Sequence, residues 1–133
     1  PEVARGFLHS HSYTGNPLAC AAACEVLRRF RDTDLLQQLP LQAKQLRAAF
    51  APFAEHERVT QLRQTGLVLA FDVREPGERF AERFHLAARR LELLIRPIGS
   101  SVYLMPPYLI DAASADLLAA RIRATLDEVL AGA

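Results

Sequence analysis

Lysine is nearly missing from this chain. Of its sixteen basic side chains fifteen are arginine, and Lys44 stands alone, so chemistry that needs a lysine amine has one candidate. Cysteine is almost as scarce. Cys20 and Cys24 lie in an alanine-rich stretch and give no disulfide framework. On an apolar helix they read as small core residues. No apolar run approaches the roughly 20 residues of a membrane span, and no signal-peptide pattern opens the chain. The net charge is only +1, and the arginines are scattered between acids, without the concentrated basic face that nucleic acid requires. There is no P-loop, Gly-rich dinucleotide fingerprint or Ser-His-Asp order. His9 and His11 share a loop without a carboxylate or cysteine at ligand spacing, and His56 and His85 are isolated, so no metal site is expected. The default is a cytoplasmic protein without membrane or nucleic-acid partners. Pro1 in place of methionine reads as a processed protein or a piece of one.

What is present is enough for a core: 133 residues, half of them hydrophobic. His9 to Asn16 reads as a loop, and Asn16-Pro17 as a helix start, with Asn as N-cap and Pro at the first helical position. In the helix that follows, to about Arg31, every residue from Leu18 to Cys24 is apolar, which predicts burial on all sides. A second helix is predicted from about Asp34 to Phe53, with the stripe Leu36, Leu39, Ala43, Leu46, Phe50 and Phe53. Pro40 either kinks it or marks its start, and Lys44 lies off the stripe. Val59–Arg63 and Gly66–Val73 read as strands, with a turn or bulge at Thr65-Gly66. Pro76-Gly77 opens a third helix to about Leu91, burying Phe80, Phe84, Ala87 or Ala88, and Leu91. Two short strands, Glu92–Arg96 and Ser101–Met105, precede a last helix from about Ala112 to Leu130, burying Leu118, Ile122, Leu126 and Val129. This order predicts an α+β fold, a small mostly antiparallel sheet covered by helices. One boundary is expected near Arg31 to Asp34, after a helix that reads as part of a larger body.

Three places could carry chemistry. Ser10 to Gly15, leading into the Asn16-Pro17 helix, offers hydroxyls and free amides at the positive end of a helix dipole, which suits a phosphate; the plainer reading is a capped loop. Arg96 stands between Leu93-Leu94-Ile95 and Ile98-Gly99, with Pro97 holding it extended. Its guanidinium fork suits a carboxylate, and an arginine between apolar runs needs a partner; the plainer reading is one more exposed arginine. Tyr103 is the third, with a hydroxyl satisfied inside the fold as its plainer reading.

Two stretches go further. Phe7 to Ala23 (FLHSHSYTGNPLACAAA) resembles the segment after the catalytic lysine in class III pyridoxal-phosphate aminotransferases. Leu94 to Tyr108 (LIRPIGSSVYLMPPY) resembles the C-terminal domain of one subfamily, which forms 7,8-diaminononanoate from 8-amino-7-oxononanoate in biotin biosynthesis. The resemblance covers essentially the whole chain. It implies the C-terminal domain of a fold-type I transferase, with residues 1–32 the cofactor-phosphate loop and buried helix of the large domain, and 33–133 the small domain. It implies pyridoxal 5'-phosphate as cofactor, S-adenosylmethionine as amino donor and a homodimer. Ser12 matches the hydroxyl residue, more often threonine, that binds the phosphate belonging to the neighbouring subunit. His11 and Tyr13 line the same pocket. Arg96 matches the arginine that holds the substrate carboxylate, and Tyr103 a tyrosine near that substrate. No catalytic residue is assigned here, because the family's lysine comes upstream of the phosphate motif and Lys44 lies downstream. The piece alone is expected to be inert. Another class III omega-amino acid aminotransferase, or a non-catalytic α+β interaction module, are the competing readings.

Overall fold

The computed structural model describes residues 12–132 and divides into two compact units, Pro1–Leu36 and Gln37–Ala133. Among the described residues, the first unit holds helix α1, Pro17–Asp32. The Asn16 side chain accepts the Ala19 N–H at 3.0 Å and Pro17 takes the first position, so the helix starts where the cap chemistry puts it. Its burial corrects the expectation. α1 buries none of its residues, Leu18 is 81% exposed, and Cys20 and Cys24 are free and exposed. Apolar side chains need a second layer to leave water, and the described part of this unit supplies none.

The second unit holds the core. Helix α2 (Leu35–Phe50) buries Leu46 and Phe50 completely, with Leu39 and Ala43 packed beside them. Leu36, the first member of the predicted stripe, is instead half exposed. Pro40 lies inside the helix rather than at its start; this early in a helix it removes one backbone bond without ending it. The end comes sooner than predicted. A 3-10 turn, Ala51–Glu55, takes over because Pro52 cannot donate the next helical bond. That turn delivers Phe53, whose ring centroid lies 4.9 Å from Phe50 and 5.2 Å from Phe71.

Strands β1 (Val59–Thr65), β2 (Val68–Val73) and β3 (Ser101–Leu104) form one antiparallel sheet in the order β1-β2-β3. Thr65-Gly66 is a turn, not a bulge. Gly66 takes φ +55° between Thr65 and its partner Val68, a two-residue hairpin that a side chain at this position would strain. The bulge lies earlier, between Thr60 and Arg63, where Gln61 has φ 51°. Leu69, Phe71, Val73, Val102 and Leu104 face the core. The alternate residues Ala70, Asp72, Ser101 and Tyr103 are half-buried on the other face.

Helix α3 (Phe80–Arg90) starts later than Pro76-Gly77, but buries Phe80, Phe84, Ala87 and Ala88 as its periodicity requires. Leu91 is only half-buried. Helix α4 (Ala112–Ala131) buries Ile122, Leu126 and Val129, with Leu118 packed at the edge. The strand predicted over Glu92–Arg96 does not form. Leu93, Ile95 and Pro97 are buried while Leu94 and Arg96 are exposed, so the alternation is real. What is missing is a neighbouring strand, because β3 pairs with β2.

A left-handed cap joins α3 to this extended segment. Leu93 N–H donates to the Ala88 carbonyl (3.0 Å) and Glu92 N–H to the Arg89 carbonyl (3.1 Å), with Glu92 at φ 55°. This is a Schellman closure, usually built on glycine. Arg121 donates to both the carbonyl and the carboxylate of Glu92, at 3.3 and 2.9 Å. A residue with a Cβ loses about 1–2 kcal/mol in this conformation, and an exposed ion pair returns at most about 1 kcal/mol. Glu92→Gly should therefore stabilise the protein by about 0.5 kcal/mol, read as a higher midpoint in chemical denaturation. A lower midpoint would mean that the Arg121 contacts outweigh the backbone strain.

Candidate carboxylate-binding cleft

The extended segment and β3 form the two walls of a cleft of about 420 Å³. From the segment come Leu94 and Arg96; from β3 and its exit come Tyr103, Met105 and Pro106; α4 contributes Leu118. Thus two residues singled out separately in the sequence, Arg96 and Tyr103, meet in one cavity. Pro97 is buried behind Arg96 and holds its backbone extended. Ladder pairing of Tyr103 with Ala70 and of Val102 with Phe71 turns the tyrosine away from the core.

The chemistry of the cleft is an apolar trough with one cation. Among the described residues the Arg96 guanidinium has no hydrogen bond or ion pair. Arg28, Arg63, Arg79 and Arg123, by contrast, are each engaged with a carboxylate. A planar fork left open beside aliphatic walls can take a carboxylate on the end of a hydrocarbon chain.

Two features behind the cleft lining were missed in the sequence. His85, half-buried on α3, donates from Nδ1 to the Ile95 carbonyl at 2.8 Å, next to Arg96. Its signal was a histidine one step from the buried Phe84, which was set aside as isolated. Next to Tyr103 on the outer sheet face, Asp72 accepts from Arg63 Nη1 and Nη2 at 3.1 Å each and from the Ser101 hydroxyl. Its signal was an acid alternating with Leu69, Phe71 and Val73 in an otherwise apolar strand. The Ser101 hydroxyl, then Arg63, hold the Asp72 carboxyl below its ordinary value.

The other histidine of this unit is structural. His56 Nδ1 accepts the Arg58 N–H at 3.0 Å, and its Nε2–H donates to Asp127 at 3.2 Å. Lys44 is exposed on α2 and does not line the cleft. In the first unit, Ser12 and Tyr13 are exposed in the turn that leads to α1. Ser12 makes no hydrogen bond among the described residues, while the Tyr13 carbonyl accepts the Asn16 N–H at 3.0 Å. His11 lies outside the described residues. No cluster among the described residues could hold a metal ion, and none of their helices is long and apolar enough to cross a membrane.

The aminotransferase class-III family model matches residues 2–126. The adenosylmethionine-8-amino-7-oxononanoate aminotransferase of Helicobacter pylori is 35% identical over 98% of this chain and 31% of its own length. A putrescine–pyruvate aminotransferase of Pseudomonas aeruginosa is 28% identical over 94% of this chain and 29% of its own. Among solved structures, an amine transaminase from an uncultivated Pseudomonas species, in its pyridoxal-phosphate-bound form, superposes with a TM-score of 0.77 at 29% identity, over 92% of this chain and 30% of that one. The fold is that of a domain of pyridoxal-phosphate transaminases. More narrowly, the chain belongs to the class III aminotransferases, a pyridoxal-phosphate-dependent family. It spans about a third of the length of the relatives it matches.

The lowered pKa of Asp72 gives a test of the sheet wall. A carboxyl whose folded value lies below its ordinary 3.8 stabilises the fold above that value and ceases to do so as pH falls through the folded one. Asp72→Asn should therefore lower Tm at neutral pH, and the gap to wild type should close as both are acidified through the carboxylate range. A gap that stays constant would remove the ionised Asp72 from the stability of this face.

Proposed function

We propose that this chain is the C-terminal part of a homodimeric, cytoplasmic aminotransferase that converts 8-amino-7-oxononanoate to 7,8-diaminononanoate, with S-adenosylmethionine as amino donor. The observation that carries this reading is the unpartnered Arg96 guanidinium at an apolar cleft shared with Tyr103. The keto substrate has matching chemistry, a carboxylate at the end of an unbranched aliphatic chain. Arg96 grips the carboxylate, while Leu94, Met105 and Leu118 take the methylenes out of water. Tyr103, which lines the trough, would orient the bound chain. The Helicobacter pylori relative, which bears the name of this reaction, supports the choice.

When bound, pyridoxal phosphate supplies the electron sink through which the amino group passes. The first unit fits its phosphate end. Ser12 presents an exposed hydroxyl with no partner among the described residues, in the turn before the positive end of the α1 dipole. Ser12 would hold the phosphate of the neighbouring subunit's cofactor, with Tyr13 and His11 lining that pocket. Lys44 has no part in this reading, being exposed on α2 and away from the cleft lining. A second reading, another class III omega-amino acid aminotransferase, is favoured by the putrescine–pyruvate relative. It would use the same arginine for a shorter keto acid.

In the complete enzyme, Arg96→Ala should raise KM for 8-amino-7-oxononanoate about a hundredfold, the loss of a charge-assisted bidentate contact. kcat should change little, because the carboxylate lies far from the reacting carbonyl. Unchanged affinity would take Arg96 out of the site, and turnover of pyruvate in place of the oxononanoate would favour the second reading. Ser12→Ala should speed cofactor loss about tenfold, one hydrogen bond to a charged group. In heterodimers with one variant chain, loss should occur from the site opposite the altered subunit. Loss from the altered subunit's own site would contradict the shared pocket.

A further inference from the structure

The backbone that carries Arg96 is held in an unusual way. Leu93 N–H closes the α3 cap, and Ile98 N–H returns to the Ser101 carbonyl at 3.0 Å. The residues between them, Leu94 to Pro97, pair with no strand. Among the described residues their single hydrogen bond is the one from His85 Nδ1–H to the Ile95 carbonyl, 2.8 Å long. Leu93, Ile95 and Pro97 are buried, which fixes the face the segment turns inward, but apolar packing is non-directional. A hydrogen bond at this distance fixes both position and angle.

We propose that His85 is a positioning residue for Arg96, locking the carbonyl immediately before it and so setting where the guanidinium stands at the cleft. This rests on the reading that Arg96 binds a substrate carboxylate. The Schellman cap at Glu92 reverses the chain, so that the segment returns past the last turns of α3 and Ile95 comes alongside His85. A leucine at position 85 would keep the helix and most of the packing, yet leave the Ile95 carbonyl unpaired. An asparagine could put an amide N–H near the place of Nδ1 and restore the bond.

The test uses the complete enzyme with 8-amino-7-oxononanoate as the probe. His85→Leu should raise KM about tenfold, the effect of one directional bond lost, with kcat little changed; His85→Asn should recover most of it. In an Arg96→Ala background, His85→Leu should add nothing further. A full additional loss there, or a fall in kcat with KM unmoved, would overturn the inference by showing that His85 acts other than through Arg96. A crystal structure of His85→Leu reads the position without any substrate. Leu94 to Pro97 should shift or lose order while β1, β2 and α4 stay in place, and a segment superposing on wild type would overturn the inference. Should Arg96→Ala itself leave KM unchanged, the carboxylate reading fails, and the crystallographic result still decides what His85 holds.

Discussion

Phe71, fully buried in the middle strand, sets the frame on which the cleft is built. Its ring packs 5.2 Å from that of Phe53 and its backbone pairs with Val102, so one side chain ties the turn after α2 to the sheet and lies at the pairing of β2 with β3. Burying a phenylalanine contributes about 1.5–3 kcal/mol, and that gain exists only in one register. Because side chains alternate along a strand, Val102 facing inward sends Ser101 and Tyr103 to the opposite face. A slip of one residue would put the tyrosine in the core and a valine at the cleft. The position of Tyr103 is thus a consequence of hydrophobic burial elsewhere.

The outer face then adds polar bonds that agree with this register. Ser101 donates to Asp72, and Arg63 spans the same carboxylate from β1. The three strands are thereby tied together on the side where packing is thinnest. On the other wall the solution differs. The Leu93–Pro97 segment has strand-like alternation but no ladder, and relies on buried apolar side chains, the rigid Pro97 and the histidine bond from α3.

Much of this could be read from the residues. Period-3.6 stripes located α2, α3 and α4 and their buried faces, and period-2 runs located the β1–β2 hairpin and β3. The two largest errors share one cause, since pattern reports which face is buried and not what buries it. Leu93, Ile95 and Pro97 alternate as a strand would, yet the neighbour that would make them one is absent from the sheet. Leu18 to Cys24 is apolar throughout, yet nothing in its own unit covers it. Arg96 and Tyr103 were legible as individuals, from an arginine set between apolar runs and a tyrosine in a short strand. That they share a cleft was not, because it depends on the Glu92 cap and the Gly99 turn bringing the segment alongside β3. The bond that His85 makes was not legible, because its partner is a backbone carbonyl.

The same logic bears on why Arg96 is exposed and unpaired among the described residues while Arg28, Arg63, Arg79 and Arg123 are engaged. An exposed ion pair contributes little to stability, so pairing Arg96 within the fold would gain almost nothing. For the carboxylate ligand proposed above the balance would be different: the ligand would arrive with its charge, its chain would displace water from the trough, and the fork would meet it with less water to compete. An arginine whose backbone is already held has less conformational freedom left to lose on binding than one on a mobile segment, which is where preorganisation raises affinity. On the proposed reading, the backbone restraints behind Arg96 therefore add to what the charge alone would give. A flexible arginine at the same place would attract the same anion and hold it less well.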